Sequence, residues 1–452
     1  MIERIEEMSA GTIRVVEARA FEAAVWGLPA VNFDLMRQAM AREVGGADNQ
    51  IVYWSSLPDW KQQTLTPNPD STYFMPFYDT KDAGPMVLEI PPADEGTING
   101  SVDDCWQAAV EDVGPAGVDK GEGGRYLILP PGYEGDVPDG YIPMPSETYR
   151  GFGLLRSLLA GPGDDALKDA IAYGRRIELY PLAAASDQPE TTFLDASGIL
   201  FDATIPYDRR FFDSLNRIVQ HEPWLTRDKA MIDSLKSIGI EKGKDFDPDP
   251  EMQAILDRAA AEANDWVRAR LDRLFDAAFF EGGHWSLMGD PEVIEGITGN
   301  FSASDAYPID GRAATYSMAF FSPKHVGTGQ FYLMAIYDSD GDPLDGGETY
   351  KLTVPADAPV SQYWSATVYD RATHTLIREV PRASRSSQAA ELEVNEDGSV
   401  DLFFSPSAPD GNESNWIPTD PSGRFEVLFR LYGPDKSFFE KAWPLGDLER
   451  VH

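Results

Sequence analysis

The sequence predicts a multidomain α+β protein: two antiparallel β-sandwich subdomains of similar topology, related by internal duplication, plus a helical subdomain. Three observations carry this expectation. The chain has 452 residues, 42% of them hydrophobic and 11% aromatic, enough for buried cores in two or three domains. Its texture switches between apolar residues at helical spacing and short Val-, Ile-, Tyr- and Phe-rich runs punctuated by Pro, Gly and Asp. Finally, segments of one β region recur in the same order in the other.

In chain order, residues 1–50 are expected to hold N-terminal helices, 51–145 the first sandwich, 146–298 a mainly helical middle and 299–452 the second sandwich. Ile5, Met8, Thr12, Val16 and Ala20, then Ala23 and Ala24, fall three to four residues apart, as on a helix. Leu28-Pro29 is expected to break it, with a second short helix from Asn32 to Arg42. Between Ile51 and Met144, runs such as Met86–Ile90 and Tyr126–Leu129 read as strands between turns. Helical spacing returns from Ser146 to about Gly282. Its clearest helix opens at Asp249-Pro250, an N-cap followed by proline at the first helical position. Met252, Ile255, Leu256, Ala259, Ala263, Trp266, Val267, Leu271, Leu274 and Ala278 then mark one apolar stripe.

The duplication rests on three matches. Tyr73–Thr80 leading to Leu88–Pro91 is echoed by Tyr332–Ser339 leading to Leu352–Ala356, and Gly124–Leu129 by Gly423–Leu428. Many short strands between turns favour sandwiches or barrels for both regions.

Composition narrows the partners. There are 75 acidic against 38 basic residues, a formal net charge of −37. Such a field repels phosphate backbones and anionic lipid heads, so neither nucleic acid nor a membrane is expected as a partner. Neutral or cationic ligands are favoured; a small molecule or carbohydrate is the expected partner, with a homo-oligomer possible. Cys105 is the only cysteine, which excludes an intrachain disulfide and a cysteine metal cluster. The N-terminus Met1–Glu7 is acidic and shows no export signal, so the chain as written reads as cytoplasmic. It reads as periplasmic or secreted if such a signal was removed.

No cofactor and no metal are expected. His221, His284, His325, His374 and His452 are scattered and none has metal-ligand spacing. Gly-x-Ser-x-Gly, Walker and Gly-x-Gly-x-x-Gly motifs are absent. Asp338-Ser339-Asp340-Gly341-Asp342 suggests a calcium loop, but counting from Asp338 its sixth position is Pro343 and its twelfth Thr349. A hairpin turn explains it better.

Leu65–Tyr73 and Gly124–Tyr133 resemble the signatures of the N-terminal half of a paired family of unknown function, numbered 1254. Tyr337–Gly346, Tyr363-Trp364-Ser365, Asn415–Pro418 and Arg430–Pro434 resemble its C-terminal partner, numbered 1214. The resemblance covers most of the chain from about Trp26 to Trp443. It implies two β-sandwich subdomains and one helical subdomain, and no reaction. Many relatives look exported.

Residues shared by both halves are expected to serve the fold, and residues unique to one half a ligand. Tyr73, Tyr78 and Asp79 align with Tyr332, Tyr337 and Asp338 and are read mainly as structural. Asn68-Pro69-Asp70-Ser71 is unique to the first half. Asp70 is the candidate acid/base, with Tyr126 or Arg156 polarising the substrate. Asn68, Ser71 and the adjoining Tyr73 are candidate substrate contacts. The competing reading makes Asn68 and Asp70 an Asx-type turn around Pro69. In the second half, strand alternation places Tyr363, Ser365, Thr367 and Tyr369 on one polar face, with Trp364 in the core. Ser365, Tyr369, Trp416 and Arg430 complete the substrate-binding candidates, although an ion pair is the favoured role for Arg430. The resulting expectation is a nucleotide- and metal-independent enzyme acting on a small polar or sugar-like molecule in an interdomain cleft. A non-catalytic carbohydrate or small-molecule binding protein and a structural assembly module are the alternatives.

Overall fold

The computed structural model describes residues 10–299, 301–303, 305–319, 323–325 and 329–451. It is a mixed α+β, multidomain arrangement. Helix α1 (Ala10–Ala39) leads into strands β1 (Gln50–Tyr53), β2 (Gln62–Gln63), β3 (Thr72–Asp79), β4 (Met86–Ile90), β5 (Ile98–Asp104) and β6 (Ala109–Val113). Strands β7 (Gly124–Leu129), β8 (Tyr141–Pro145) and β9 (Arg150–Ser157), helix α2 (Asp164–Gly174), then β10 (Glu178–Pro181), β11 (Phe193–Asp195) and β12 (Phe201–Asp202) complete the first β unit. Helices α3 (Arg210–His221), α4 (Lys229–Leu235), α5 (Pro250–Asp272), α6 (Pro291–Thr298) and α7 (Ile309–Met318) follow. The second β unit has β13 (Gln330–Ala335), β14 (Tyr350–Val354), β15 (Trp364–Asp370), β16 (Ser384–Ser386) and β17 (Val400–Ser405). It ends with β18 (Trp416–Pro418), β19 (Phe425–Tyr432), the short helix α8 (Lys436–Phe439) and β20 (Glu449–Arg450).

The first unit holds a six-stranded sheet, ordered β11-β1-β3-β9-β5-β6, and a four-stranded sheet, β10-β4-β7-β8. The second holds two four-stranded sheets, β13-β19-β15-β16 and β18-β17-β14-β20. Pairing is mixed rather than purely antiparallel as expected. β1 with β11, β2 with β12, β7 with β8 and β17 with β18 run parallel. The runs Gly124–Leu129 and Gly423–Leu428, expected to be equivalent, are not. The first lies in β7, between β4 and β8. The second leads into β19, between β13 and β15.

Alternation explains how the layers share strands. Phe74 and Tyr78 of β3 join a core with Leu88, Tyr126 and Ile128 of the four-stranded sheet. Tyr73, Met75 and Phe77 of the same strand point the other way, into a core with the helices. A strand buried on both faces needs apolar residues at successive positions, and Tyr73–Tyr78 supplies them. In the second unit, Trp364, Ala366 and Val368 pack between the two sheets. Tyr369 and Leu428 face the opposite side.

Three boundary expectations change. α1 runs unbroken through Pro29. Ala23–Met36 are all buried against α3, α5 and α7, and that packing outweighs the one backbone hydrogen bond proline removes. α5 starts at its expected cap, with Met252 N donating to Asp249 Oδ1 at 2.9 Å. It ends at Asp272, so Leu274 and Ala278 lie beyond it. The expected division at residue 145 cuts through a sheet. Arg150–Ser157, assigned to the helical middle, forms β9 between β3 and β5, because its apolar residues pair with theirs at strand rather than helical spacing. α1, assigned to a separate N-terminal segment, belongs to the layer of the middle helices.

An ionic network ties these layers together. Asp79 on β3 meets Arg150 on β9 at 2.9 Å and His221 at the end of α3 at 2.8 Å. Arg150 also reaches Asp48 at 3.3 Å, which Arg37 of α1 holds at 2.6 Å. Burial opposes the Asp79 charge, but the close His221 ring, the Lys81 amide and Arg150 outweigh it and hold the pKa at about 2. Asp79→Asn is therefore expected to cost about 1 kcal/mol at pH 7, a figure already halved for partial solvation of the pair. Since the folded-state pKa lies below the ordinary value, the wild-type advantage is complete above pH 4 and shrinks as pH falls toward 2. Urea denaturation of both proteins between pH 3 and 7 checks this; a difference independent of pH would remove Asp79 as a stabilising charge.

Candidate functional site

Where the helix-facing side of the six-stranded sheet meets the outer side of the β13-β19-β15-β16 sheet, a cavity of about 530 Å³, mouth included, remains between the two β units. Gln62, Thr64–Pro67, Tyr73 and Arg156 line it from the first unit, and Tyr332, Leu428 and Arg430 from the second. Met36 of α1, with Met288 and Ala319, closes the helical side.

Register places the polar groups. Tyr73 of β3 stands opposite Arg156 of β9. Tyr332 of β13 stands opposite Arg430 of β19. The Arg156 guanidinium lies over the Tyr73 ring at 5.3 Å and that of Arg430 over Tyr332 at 5.4 Å. Each β unit thus presents one tyrosine–arginine cross-strand pair to the same space.

Arg430 is 2% exposed and no carboxylate lies within 4.0 Å of it among the described residues. The ion pair expected for it is therefore not made. Its Nη1 donates to Thr367 Oγ1 at 2.8 Å, and its Nη2 to Tyr369 OH at 2.6 Å and to the Thr66 carbonyl at 3.0 Å. Neighbouring strands on one sheet face place Thr367 and Tyr369 within its reach, as the alternation predicts. Tyr369 OH in turn donates to the Pro67 carbonyl at 2.6 Å, so the chain of bonds crosses between units.

Thr66 adopts φ +37°, a conformation seldom taken by a β-branched residue. Three bonds hold it there: its N–H donates to His374 O at 2.7 Å, its hydroxyl to Met318 O at 3.2 Å, and its carbonyl accepts from Arg430. Nearby, Gln63 Nε2 donates to Leu376 O at 2.8 Å and Gln63 Oε1 accepts from Thr375 at 2.9 Å. The segment that walls the cavity is thus fixed by the second unit.

The Asn68–Ser71 motif lies just behind this wall. Asp70 N donates to Asn68 Oδ1 at 3.0 Å, the expected Asx turn around Pro69. Asn68 also donates its N–H to Tyr73 OH at 2.8 Å, and its side-chain amide to Ser71 Oγ at 3.0 Å and to Tyr432 OH. Asp70 receives Ser384 Oγ on Oδ1 at 3.1 Å. Its Oδ2 is buried and unpartnered; Ser365 Oγ is near it but outside hydrogen-bond geometry. Burial raises the Asp70 pKa, and the opposing pull of Arg430 and the two serines is too small to cancel it.

Of the residues expected to form the site, Tyr73, Arg156 and Arg430 line the cavity. Asn68, Asp70, Ser71, Ser365 and Tyr369 form the buried polar layer adjoining it. Tyr126 does not join them: it is in the core of the first unit, its hydroxyl donating to Asp119 Oδ1 at 2.8 Å. Trp416 is also elsewhere, on β18 at the edge of a sheet, with Nε1 donating to Ser405 O at 2.9 Å. Tyr332, expected to be structural because it matches Tyr73, also lines the cavity, and that match is the signal in the sequence that points to it.

A smaller cavity lies between the units on the other side of the 371–376 turn, lined by Thr204, Asn264, Arg268, Ser317 and His374 among others. His374 is 4% exposed and bonds Glu426 through Nδ1 at 2.9 Å. Glu426 is also held by Arg371 at 3.0 Å. No group of three or more His, Cys, Asp and Glu with metal-binding geometry occurs among the described residues. Nor is any described helix long and apolar enough to cross a membrane.

Comparison with known proteins follows the division into units. Residues 49–181 match the family model described as "Protein of unknown function (DUF1254)", and residues 329–436 the one described as "Protein of unknown function (DUF1214)". The chain is similar to the VPA0106 protein from Vibrio parahaemolyticus, a crystal structure, with a TM-score of 0.58 at 18% identity, covering 97% of this chain and 100% of that one. A crystal structure of an uncharacterized protein from Burkholderia cenocepacia gives a TM-score of 0.40 at 12% identity, covering 98% and 94%. No curated protein matches the chain.

Asp70→Asn is expected to behave oppositely to Asp79→Asn. A raised folded-state pKa means that the penalty of the charge is absent below the ordinary carboxylate pKa and grows as pH rises toward the folded value. The variant should gain on wild type as pH rises from 4 to 7.5 in urea denaturation. Should it instead lose ground, Asp70 is a stabilising anion.

Proposed function

The chain belongs to the family of unknown function that joins a DUF1254 region to a DUF1214 region, and we propose that it binds a small polar molecule in the cavity between those regions. The observation that carries this reading is the convergence of two tyrosine–arginine pairs, one from each β unit, on that cavity. Ligand sites favour interfaces between domains, where apolar walls meet a few oriented polar groups.

We also read each β unit as a sandwich and the two as products of an internal duplication. The order β3-β9-β5-β6 corresponds strand for strand to β13-β19-β15-β16, and β10-β4-β7-β8 to β20-β14-β17-β18. The parallel pair occurs at the same place in each, β7 with β8 and β17 with β18. A helix also precedes the last strand in both, α2 before β10 and α8 before β20. On this reading Tyr73–Arg156 and Tyr332–Arg430 are equivalent pairs, and the site is built from the same positions used twice.

Binding is the reading the geometry supports best. A second reading, a metal- and nucleotide-independent enzyme, is favoured by one observation: the buried carboxyl of Asp70, with a raised pKa and a free oxygen, is suited to proton transfer. It requires the ligand to reach past Thr66 and Pro67, because Asp70 does not line the cavity itself.

A thermal-shift screen of common metabolites against wild type and Arg156→Gln tests the proposal. A compound at 100 times its Kd should stabilise wild type by about 2.7 kcal/mol and leave the variant unmoved. If the same compounds shift both proteins equally, the cavity is not the binding site.

A further inference from the structure

We propose that the ligand of this cavity is a small organic acid, its oxyanion head held between Arg156 and Arg430 and its apolar body against the surrounding methionines and leucines; the inference rests on the cavity being a ligand site. The argument begins from the charge inventory. With 75 acidic residues against 38 basic ones, a carboxylate is available to almost any arginine. Most partly buried arginines elsewhere take one: Arg37 has Asp48, Arg150 has Asp79, Arg217 has Asp34, Arg270 has Asp290 and Arg371 has Glu426, whereas Arg268 and Arg382 donate to backbone carbonyls. Arg385 has Glu391.

Arg156 and Arg430 depart from this pattern, and both face one cavity. Neither has a carboxylate within 4.0 Å among the described residues. Arg430 is surrounded by neutral oxygens, and the Nε of Arg156 is buried with no hydrogen-bond partner. Asp70 lies close enough for Arg430 to oppose the rise that burial gives its pKa, but it makes no ion pair with Arg430. Among the described residues Arg312 is also fully buried without an ion pair, but it does not line this cavity. It is packed among Phe301, Tyr307 and Tyr316 and donates to the Trp106 carbonyl.

A buried and a half-buried guanidinium facing one cavity, each without a carboxylate partner, leave positive charge uncompensated there. An oxyanion entering between them compensates it, because a planar fork of donors suits a carboxylate. Beyond the two pairs, Gln62, Thr64 and Thr66 are the polar part of the wall, and Met36, Leu65, Met75, Leu154, Met288 and Leu428 are its apolar part. Those apolar side chains match an alkyl or aryl body better than a sugar ring. This reverses the preference for neutral or cationic ligands that the net charge of the whole chain suggests.

Titration calorimetry at constant ionic strength, pH 7.5, with acetate, hexanoate, hexanamide and glucose tests this. Hexanoate should bind more tightly than acetate, and hexanamide and glucose at least tenfold more weakly than hexanoate, since a charge-assisted contact is lost. Arg156→Gln should reduce hexanoate affinity at least tenfold; Arg156→Lys, which keeps the charge but not the fork, should fall between and serves if the glutamine variant does not fold. Hexanamide or glucose binding as well as hexanoate, yet lost in the Arg156 variants, would overturn the anionic ligand while leaving the cavity as the site. Binding of none of the four, or binding unaffected by the Arg156 variants, would overturn both.

Discussion

A guanidinium removed from water costs several kcal/mol unless its five donors and its charge are met, and Arg430 is placed where that demand shapes its surroundings. Three hydrogen bonds meet part of that demand, to Thr367, Tyr369 and the Thr66 carbonyl, groups drawn from two β units. To reach it, Thr66 accepts an unfavourable backbone conformation, and Tyr369 extends its hydroxyl onward to Pro67. The joint between the units is therefore a hydrogen-bonded polar layer around a buried cation. Such a layer is specific rather than adhesive, because each missing partner would leave a buried group unsatisfied.

The same layer fixes the wall of the cavity through hydrogen bonds. The 62–70 segment has little secondary structure of its own beyond the short β2, yet Gln63, Thr66 and Asn68 are each fixed by side chains or carbonyls of the second unit. On the opposite flank, the Asp79–Arg150–His221 network holds β3 and β9 to the helices. Tyr73 and Arg156 sit toward the other end of those two strands, six residues along the register from Asp79 and Arg150. Preorganisation of this kind spares a ligand the cost of ordering the site when it arrives.

Much of this was legible before any coordinates. Alternation along Tyr363–Asp370 put Trp364 in the core and the hydroxyl-bearing residues on the other face. Asn68-Pro69-Asp70 announced its Asx turn, because short polar side chains around proline have few other local options. What remained illegible depends on distant partners. Pro29 marks a helix end by its own chemistry, and only burial of both flanking turns against three other helices overrides it. Arg150–Ser157 carries too few residues to separate strand from helix by period alone. The assumption that shared residues serve only the fold failed at Tyr73 and Tyr332, since a site lying between two like units is lined by the positions they share.

The contrast between the surface and this cavity has a physical consequence. A net charge of −37 sets up a repulsive field for any anion in bulk solution. Beyond a Debye length of about 8 Å at physiological ionic strength, salt screens most of it. Inside the cavity, little water separates the two guanidiniums from a bound group, so their attraction is scarcely screened. The surface field therefore acts mainly on the rate at which an anion arrives, and the buried arginines on how long it stays. An acidic exterior and the proposed anion site inside are compatible for that reason: such an exterior disfavours large polyanions, which present many charges at once, more than a small monoanion.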